Sequence, residues 1–313
     1  MKIMLSVIVF TYNHEKYICK CLNSILMQKT NFEFEIIVAD DCSTDGTYNL
    51  LLNKYGNKIN VLRRKENLGL CRNMYEAFCD AKGKYIFTCD GDDYLVSDTL
   101  LQKHVDFLER NTDYFSVTNW FINRNEASGE ERIREIPYNE FTMLDYLRGT
   151  KVLFFLGTMR NTFKFDKVEY LYSASRNNEE VQTLYYTLNK GKKAILPEVM
   201  YVYCYRVDTQ NSNYCSRHSN LQMLSDYAEG FYAIEKYDVN AKKYNFSIAK
   251  MRRYESYIDR ILETRDLTQI VQILKILKWT DICNFVAYKL ILKLNHYKMP
   301  KCLLKQQRLI KRK

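Results

Sequence analysis

The sequence predicts an α/β protein: a mostly parallel sheet flanked by helices, followed by a helical C-terminal extension. In the first 110 residues, short apolar runs rich in β-branched residues alternate with stretches whose apolar residues recur at helical spacing. Strands that alternate with helices pair in parallel through right-handed crossover connections. From about residue 219 the helical spacing continues to the end of the chain, which indicates the extension.

Four strands and three helices are predicted in the first part. The strands cover residues 5–10, 35–39, 59–62 and 84–89, and the helices follow the first three of them and end near residues 26, 55 and 81. Asn13 is the expected cap of the first helix, and residues 43–46 supply turn and cap residues for the second. This order places the exits of successive parallel strands along one edge of the sheet.

The second part mixes helices and strands before the helical extension. The predicted elements are a helix at 142–148, a strand at 152–156, a helix that opens at 177–180, a strand at 201–206, and helices at 221–234, 248–262, 267–277, 281–294 and 303–310. The expected division is one unit over 1–218, with halves at 1–110 and 111–218, and an extension over 219–313. The extension ends in a basic amphipathic tail at 282–313.

The composition is that of a globular protein whose positive charge is concentrated at one end. The 313 residues are 47% hydrophobic and 27% charged, with a net charge of +10. Residues 282–313 hold nine Lys and Arg and no acid; subtracting these nine from 47 leaves 38 basic against 37 acidic residues. A nucleic-acid-binding body would carry its basic residues through the fold, so no nucleic acid is expected as a partner.

Cysteines and apolar runs indicate the compartment. The ten cysteines are scattered and include no CxxC pair, which disfavours disulfides and zinc and suits a reducing cytoplasm. The apolar run ending at Phe10 lacks a following small-residue cleavage site, so it predicts a strand rather than a secretory signal. No uncharged apolar stretch of about 18 residues is present, and we expect no membrane span.

A cluster of acids follows the fourth predicted strand. Asp90, Asp92 and Asp93 surround Gly91, and carboxylates crowded in this way repel one another unless a cation lies among them. Hard oxygen ligands suit Mg²⁺ or Mn²⁺, and we expect Asp90 and Asp92 to hold one ion. The alternative is a polar loop in which Asp93 or Asp98 caps the next helix. A calcium hand is disfavoured because its loop needs Gly at position six and Glu at position twelve.

Polar residues also follow the other parallel strands. Thr11 and Tyr12 follow the first strand, Asp41 the second and Asn67 the third. Tyr12 is suited to stack on a nucleobase, and Asp41 to accept a hydrogen bond from a base N–H or a ribose hydroxyl. Each residue also has a structural interpretation, with Tyr12 in the core and Asp41 as a helix cap. Their placement on one edge favours a nucleoside diphosphate beside a metal.

Four motifs in order resemble the family-2 glycosyltransferases with the GT-A fold. They are residues 6–13, 37–47, 67–69 and 90–93, and the resemblance covers residues 3–110 closely and continues loosely to about 206. Phe10 stands where many members have Pro. The resemblance implies an inverting transferase that uses a nucleotide sugar. It places Asp41 and Tyr12 at the base, Asn67 and Arg72 near the nucleotide, and Asp90 and Asp92 in the metal-binding motif, with Asp92 as the direct ligand.

The resemblance also implies a general base and a diphosphate-binding cation. Glu180 matches the second acid of the family's Glu-Asp motif, and Glu179 stays a rival because Glu in place of Asp moves the carboxylate by one methylene. Both acids are equally suited to stabilise the first turn of a helix through its dipole. The Tyr-rich strand at 201–206 resembles the segment that closes the family's catalytic domain, and we expect Arg206 at its end to help to hold the diphosphate.

The basic tail and the resemblance together suggest a location and an acceptor. Apolar residues alternate with Lys and Arg at roughly helical spacing in 282–313, as in helices that lie on anionic membranes; a solvated basic helix is the rival interpretation. We expect a cytoplasmic enzyme, peripheral on the inner face of the membrane. Its expected function is transfer of a sugar, with UDP as the expected nucleotide, to a growing or lipid-linked surface glycan. A nucleotidyltransferase and a non-catalytic scaffold are the alternatives.

Overall fold

A computed structural model describes residues 2–150, 157–166, 168–173, 179–206 and 219–295. The predicted strand at 152–156 and the predicted helix at 303–310 lie outside the described residues. The other predicted elements are present within a few residues of their expected bounds, except that the strand predicted at 201–206 begins nine residues earlier, at Lys192.

The first half of the sheet has the predicted parallel arrangement. Strands β1 (Leu5–Thr11), β2 (Phe34–Asp40), β3 (Asn60–Arg63) and β4 (Tyr85–Asp90) pair in the order β3-β2-β1-β4, all parallel. All seven residues of β1 are buried, as expected for a strand covered by helices on both faces. The connecting helices are α1 (Ile18–Leu26), α2 (Thr47–Tyr55) and α3 (Leu70–Asp80).

The second half continues the same sheet with mixed strand directions. Its elements are β5 (Tyr94–Leu95), α4 (Leu100–Arg110), β6 (Tyr114–Asn125), β7 (Glu131–Arg134), β8 (Glu140–Phe141), α5 (Met143–Leu147), β9 (Thr158–Arg160), α6 (Phe163–Asp166), α7 (Glu169–Tyr172), α8 (Glu179–Lys190) and β10 (Lys192–Tyr205). Strand β9 lies antiparallel between β4 and β6, and β10 runs parallel to β6. The α/β fold class is confirmed. The antiparallel insertion was not predicted, because three residues are too few to show a hydrophobic period.

Helices alone form the described part of the C-terminal region. They are α9 (Asn220–Tyr237), a 3-10 turn (Val239–Lys243), α10 (Ser247–Glu263), α11 (Leu267–Ile276) and α12 (Trp279–Asn295). Helix α9 packs against α7 and α8, and its Leu224 and Phe231 are completely buried. Within the described ranges, no helix combines the length and apolar character needed to span a bilayer.

One buried cation ties these helices together. Lys250 on α10 lies 2.7 Å from the Glu235 carboxylate on α9 and 3.2 Å from the Asp281 carboxylate on α12. The Tyr232 hydroxyl donates to Asp281 at 2.9 Å. Because a charge removed from water must be paired and hydrogen-bonded, this network fixes the three helices relative to one another.

The helix cap expected at Asn13 is wrong, and the alternative cap at Asp93 or Asp98 is absent as well. Asn13 has a φ of 57°, and α1 begins five residues after it, at Ile18. Neither Asp93 nor Asp98 caps α4: the Asp93 carboxylate bonds to residues of β10, and Asp98 forms an ion pair with Lys29 at 2.6 Å. In each case a long-range partner takes the side chain that local spacing assigned to a cap.

Candidate functional site

The parallel register brings the strand exits to one edge of the sheet. Thr11 is paired with Asp40 on β2, and Phe10 is paired with Asp90 on β4. Beyond these pairs, the backbone N–H of Asp41 donates to the Thr11 carbonyl at 3.0 Å. The residues that follow β1, β2 and β4 therefore adjoin one another, as the sequence predicts.

Asp41 organises the loop that follows β3. Its two carboxylate oxygens accept the backbone N–H groups of Leu68 at 2.7 Å and Gly69 at 2.9 Å. The Asn67 side-chain amide donates to the Asp41 carbonyl at 3.2 Å. Gly69 has a φ of 83°, which a residue with a Cβ rarely adopts. Asp41 thus holds Asn67 at the edge of the sheet, a positioning role that the sequence did not indicate.

The turn after β1 is bonded to the turn after β2. The Asn13 side-chain oxygen accepts the Thr44 N–H at 2.8 Å, and the Asn13 N–H donates to the Ser43 hydroxyl at 3.0 Å. This left-handed residue replaces the expected helix cap with a contact between turns. Tyr12, just before it, is 40% exposed, whereas Thr11 is buried. The Tyr12 ring is therefore available to stack on a flat ligand.

Three acids converge at the end of β4. Carboxylate oxygens of Asp90, Asp92 and Asp93 all lie within 4.8 Å of one another. At Gly91, between them, a Cβ would stand 2.8 Å from the His14 ring, so only glycine fits without a shift. Burial and the neighbouring charge of Asp92 raise the pKa of Asp90 to about 7. An all-carboxylate donor set whose charges oppose one another fits a hard divalent cation.

Asp93 joins the acid cluster to the other half of the sheet. Its carboxylate accepts the Tyr201 hydroxyl and the Cys204 backbone N–H, both at 2.7 Å. Burial first, and then the charges of Asp92 and Asp90, raise the pKa of Asp93 well above its ordinary value. The sequence predicts a metal motif formed by Asp90 and Asp92 alone. The signal for Asp93 was its place in the same acid run.

Arg206 lies directly against the acid cluster. Its guanidinium donates to the Asp92 carboxylate at 2.6 Å, and both side chains are buried. It also lies over the Tyr17 ring, 4.3 Å from the ring centre. The His14 ring nitrogen is 3.9 Å from the same Asp92 oxygen. The structure thus adds His14 and Tyr17, which the sequence analysis did not select, to a site at which Arg206 was expected.

The other predicted site residues lie on helices. Glu179 and Glu180 form the beginning of α8, as predicted, but their side chains lie outside the described part of the structure. Arg72 lies in the first turn of α3, and its guanidinium pairs with Glu76 at 3.1 Å while remaining largely exposed. The Arg72 side chain therefore contacts its own helix. The predicted place of Arg72 near the nucleotide stays a prediction.

Comparison with known protein families shows which family the chain belongs to. The model of the family described as "Glycosyl transferase family 2" matches residues 6–168, a little more than half of the chain. The chain belongs to glycosyl transferase family 2. The matched segment contains β1 to β4 and all three acids at the end of β4. The family named from the sequence motifs is confirmed.

Relatives of this family member include two named glycosyltransferases. The poly(ribitol-phosphate) beta-N-acetylglucosaminyltransferase TarS of Staphylococcus aureus is 31% identical over 208 residues, which cover 63% of this chain and 35% of TarS. The UDP-Glc:alpha-D-GlcNAc-diphosphoundecaprenol beta-1,3-glucosyltransferase WfaP of Escherichia coli is 31% identical over 122 residues, 39% of this chain and 48% of WfaP. The matches thus span less than half the length of these relatives.

A solved structure shares the fold. The crystal structure of S. aureus TarS 1-349 in complex with UDP-GlcNAc matches with a TM-score of 0.56 at 21% identity, over 91% of this chain and 79% of that one. The match extends over both halves of the sheet and into the C-terminal helices. The GT-A fold is confirmed.

Proposed function

We propose that the protein is an inverting, metal-dependent glycosyltransferase that moves a sugar from a UDP-sugar to a hydroxyl of a growing cell-surface glycan. The observation that carries the proposal is the convergence of Asp90, Asp92 and Asp93 on the edge that also holds Asp41 and the exposed Tyr12. The names of TarS and WfaP support a surface-glycan acceptor, and that of WfaP also supports a UDP-sugar donor.

The edge of the sheet provides the parts of a donor site. Tyr12 stacks on the base, Asp41 holds the Asn67 loop against it, and Thr11 lines the floor. Asp90 and Asp92, with Asp93 beside them, would hold Mn²⁺ or Mg²⁺, which when bound would supply charge neutralisation for the departing diphosphate. Arg206 adds a second positive charge on the same side, through its contact with Asp92.

The transfer is a single displacement. Glu180, with Glu179 as the rival base, takes the proton of the acceptor hydroxyl as that oxygen attacks the anomeric carbon. The new C–O bond forms on the face opposite the bond that breaks, and the electron pair of that bond leaves on the nucleoside diphosphate. The configuration at the anomeric carbon is therefore inverted.

The acceptor side and the location complete the proposal. We assign residues 1–218 to the catalytic domain and residues 111–218 to its acceptor half, where the sheet turns mixed. The acceptor is a glycan or a lipid-linked glycan. The basic tail at 282–313 keeps the enzyme on the anionic inner face of the cytoplasmic membrane, since each Lys or Arg near such a surface adds about 1 kcal/mol.

Replacement of Asp92 tests the donor site. Asp92→Asn removes a charged ligand from the acid cluster, and we expect UDP release from the best UDP-sugar in Mn²⁺ to fall by a factor on the order of 10² to 10³. Asp98→Asn is the matched control, because Asp98 only pairs with Lys29 at the surface. Full turnover in Asp92→Asn would contradict the metal site, and a wild type inactive on every nucleotide sugar would favour the scaffold.

Replacement of the two glutamates tests the base. Glu180→Gln should bind UDP and Mn²⁺ as the wild type does, while its transfer rate falls by about 10² or more because the proton acceptor is gone. Glu179→Gln, the neighbouring isosteric change, should retain most of the rate. A reversed pattern would move the role to Glu179.

A further inference from the structure

Two helices of the C-terminal region present apolar side chains to solvent. On α11 these are Leu267, Val271 and Leu274, at positions i, i+4 and i+7. On α12 they are Trp279, Val286 and Leu290, at positions i, i+7 and i+11. Leu267 is 75% exposed, Trp279 is 73% exposed, and the other four are about half exposed. We call these six residues the apolar face.

The opposite sides of both helices hold them to the body of the protein. On α11, Ile273 is buried, and Leu277 just after the helix is buried as well. On α12, Lys289 pairs with Asp259 at 2.5 Å, and the Tyr288 hydroxyl donates to Glu255 at 3.1 Å. The apolar face therefore contributes little to packing of the described chain. A helix that is apolar on its outer side as well as its inner side indicates a further contact.

The segment that carries the apolar face is strongly basic in sequence. Residues 264–313 contain twelve Lys and Arg and two acids, Asp266 and Asp281. The Asp266 carboxylate accepts the Thr268 N–H at 2.9 Å at the start of α11, and Asp281 is buried against Lys250. Both acids thus have partners within the protein. The excess of basic residues in this segment favours a partner that is both apolar and negatively charged.

We propose that the apolar face inserts into the interfacial layer of an anionic lipid leaflet, with Trp279 at the level of the headgroups. A tryptophan with an apolar ring and a polar N–H suits that depth. A second copy of this chain is disfavoured as the occupant, because pairing two such faces would bring two sets of positive charges together. This inference rests on the proposed membrane association of the tail and makes α11 and α12 its apolar anchor.

The fluorescence of Trp279 can report insertion of the apolar face into lipid. The protein has two tryptophans, and Trp120 is half-buried on β6, where its ring N–H donates to the Ile136 carbonyl at 3.2 Å. In a full-length Trp120→Phe variant, Trp279 fluorescence should shift to the blue on addition of phosphatidylglycerol vesicles and be quenched by brominated lipid. Neutral phosphatidylcholine vesicles should give a smaller shift. Vesicles that sediment the protein with no change in Trp279 emission would overturn the inference.

Substitutions separate the apolar face from the tail charges. The triple variant Leu274→Ser, Val286→Ser, Leu290→Ser should lower partitioning onto phosphatidylglycerol vesicles at 0.5 M salt by at least about 10-fold, because apolar burial is not screened. The control Ile133→Ser changes an exposed apolar residue of β7 and should leave partitioning unchanged. A full-length variant with Gln at the seven Lys and Arg after residue 295 should lose binding mainly in low salt.

The outcomes distinguish this inference from the proposed function. UDP-sugar turnover in the absence of membranes should be equal in the wild type and the triple variant. If neither protein turns over a UDP-sugar, the catalytic proposal is contradicted and the membrane inference is unaffected. Unchanged partitioning of the triple variant, with binding lost in the tail variant, would overturn the apolar face and retain the tail. A wild-type dimer in lipid-free solution that the triple variant converts to monomers would assign the face to a second copy.

Discussion

The edge of the sheet and the C-terminal helices both bury charged side chains, but they balance these charges differently. At the edge, three carboxylates crowd within 4.8 Å, with Arg206 against one of them. In the helices, Lys250 lies between Glu235 and Asp281, so opposite charges alternate. Paired charges of opposite sign complete a structure without a ligand. Like charges held together store a repulsion that a bound cation removes, and this difference separates a binding site from a structural network.

Breaking the balanced network should have the largest effect on stability. Asp281→Ala leaves Lys250 buried with Glu235 as its remaining acidic partner, and we expect the free energy of unfolding to fall by about 3 kcal/mol in urea titrations. Turnover of the folded protein at low temperature should be close to that of the wild type. The double variant Lys250→Met, Asp281→Leu should recover most of the loss, and failure to recover would show that the network matters beyond its charges.

Removing one carboxylate from the acid cluster should raise the stability of the metal-free protein. Asp90→Asn removes a carboxylate that burial and the charge of Asp92 destabilise, and it should raise the metal-free unfolding free energy by about 2 kcal/mol near neutral pH, while thermal stabilisation by Mn²⁺ with UDP is lost. The folded pKa of Asp90 is about 7, above the value near 4 of an unfolded chain. Metal-free wild-type stability should therefore fall as pH rises between these values.

The pH profile gives a direct check of that sign. Subtracting the Asp90→Asn unfolding free energies from those of the wild type should leave a difference that becomes more negative from about pH 4 to about pH 7 and then levels off. A flat difference would mean that Asp90 is not crowded in the folded protein. Asp98→Asn, which removes an exposed acid, should show no such decline.

His104 is a buried titratable group that stays neutral in the folded protein. His104 is fully buried on α4, 3.0 Å from the Thr158 hydroxyl, and burial together with the charge of Lys193 lowers its pKa to about 3. The unfolded chain binds this proton below about pH 6.5, so wild-type stability falls as pH falls. His104→Gln should reduce that fall by about 1 kcal/mol between pH 7.5 and 5.5 in thermal melts. An unchanged profile would contradict a neutral His104.

Local sequence patterns were sufficient to predict one part of the site. Once strands alternate with helices, pairing is parallel and each strand ends at the same edge, so the positions of Thr11, Asp41 and Asp90 follow from their place just after a strand. The elements of the C-terminal region were also predictable, because apolar residues at helical spacing occupy many turns. The cap expected at Asn13 was wrong, and the alternative cap at Asp93 is absent, because local spacing carries no information about a distant partner.

The sequence by itself determined the order of strands and helices up to β4, the edge at which the acids gather, and the family. Tertiary structure alone decided that β9 enters antiparallel between β4 and β6, that Asp93 bonds to β10, and that Arg206 meets Asp92 across more than a hundred residues. The physical reason is that sequence patterns are local, whereas these contacts join residues far apart in the chain. Periodicity records which face of an element is buried, whereas the partner that a buried charge finds depends on how the two halves of the sheet close against each other.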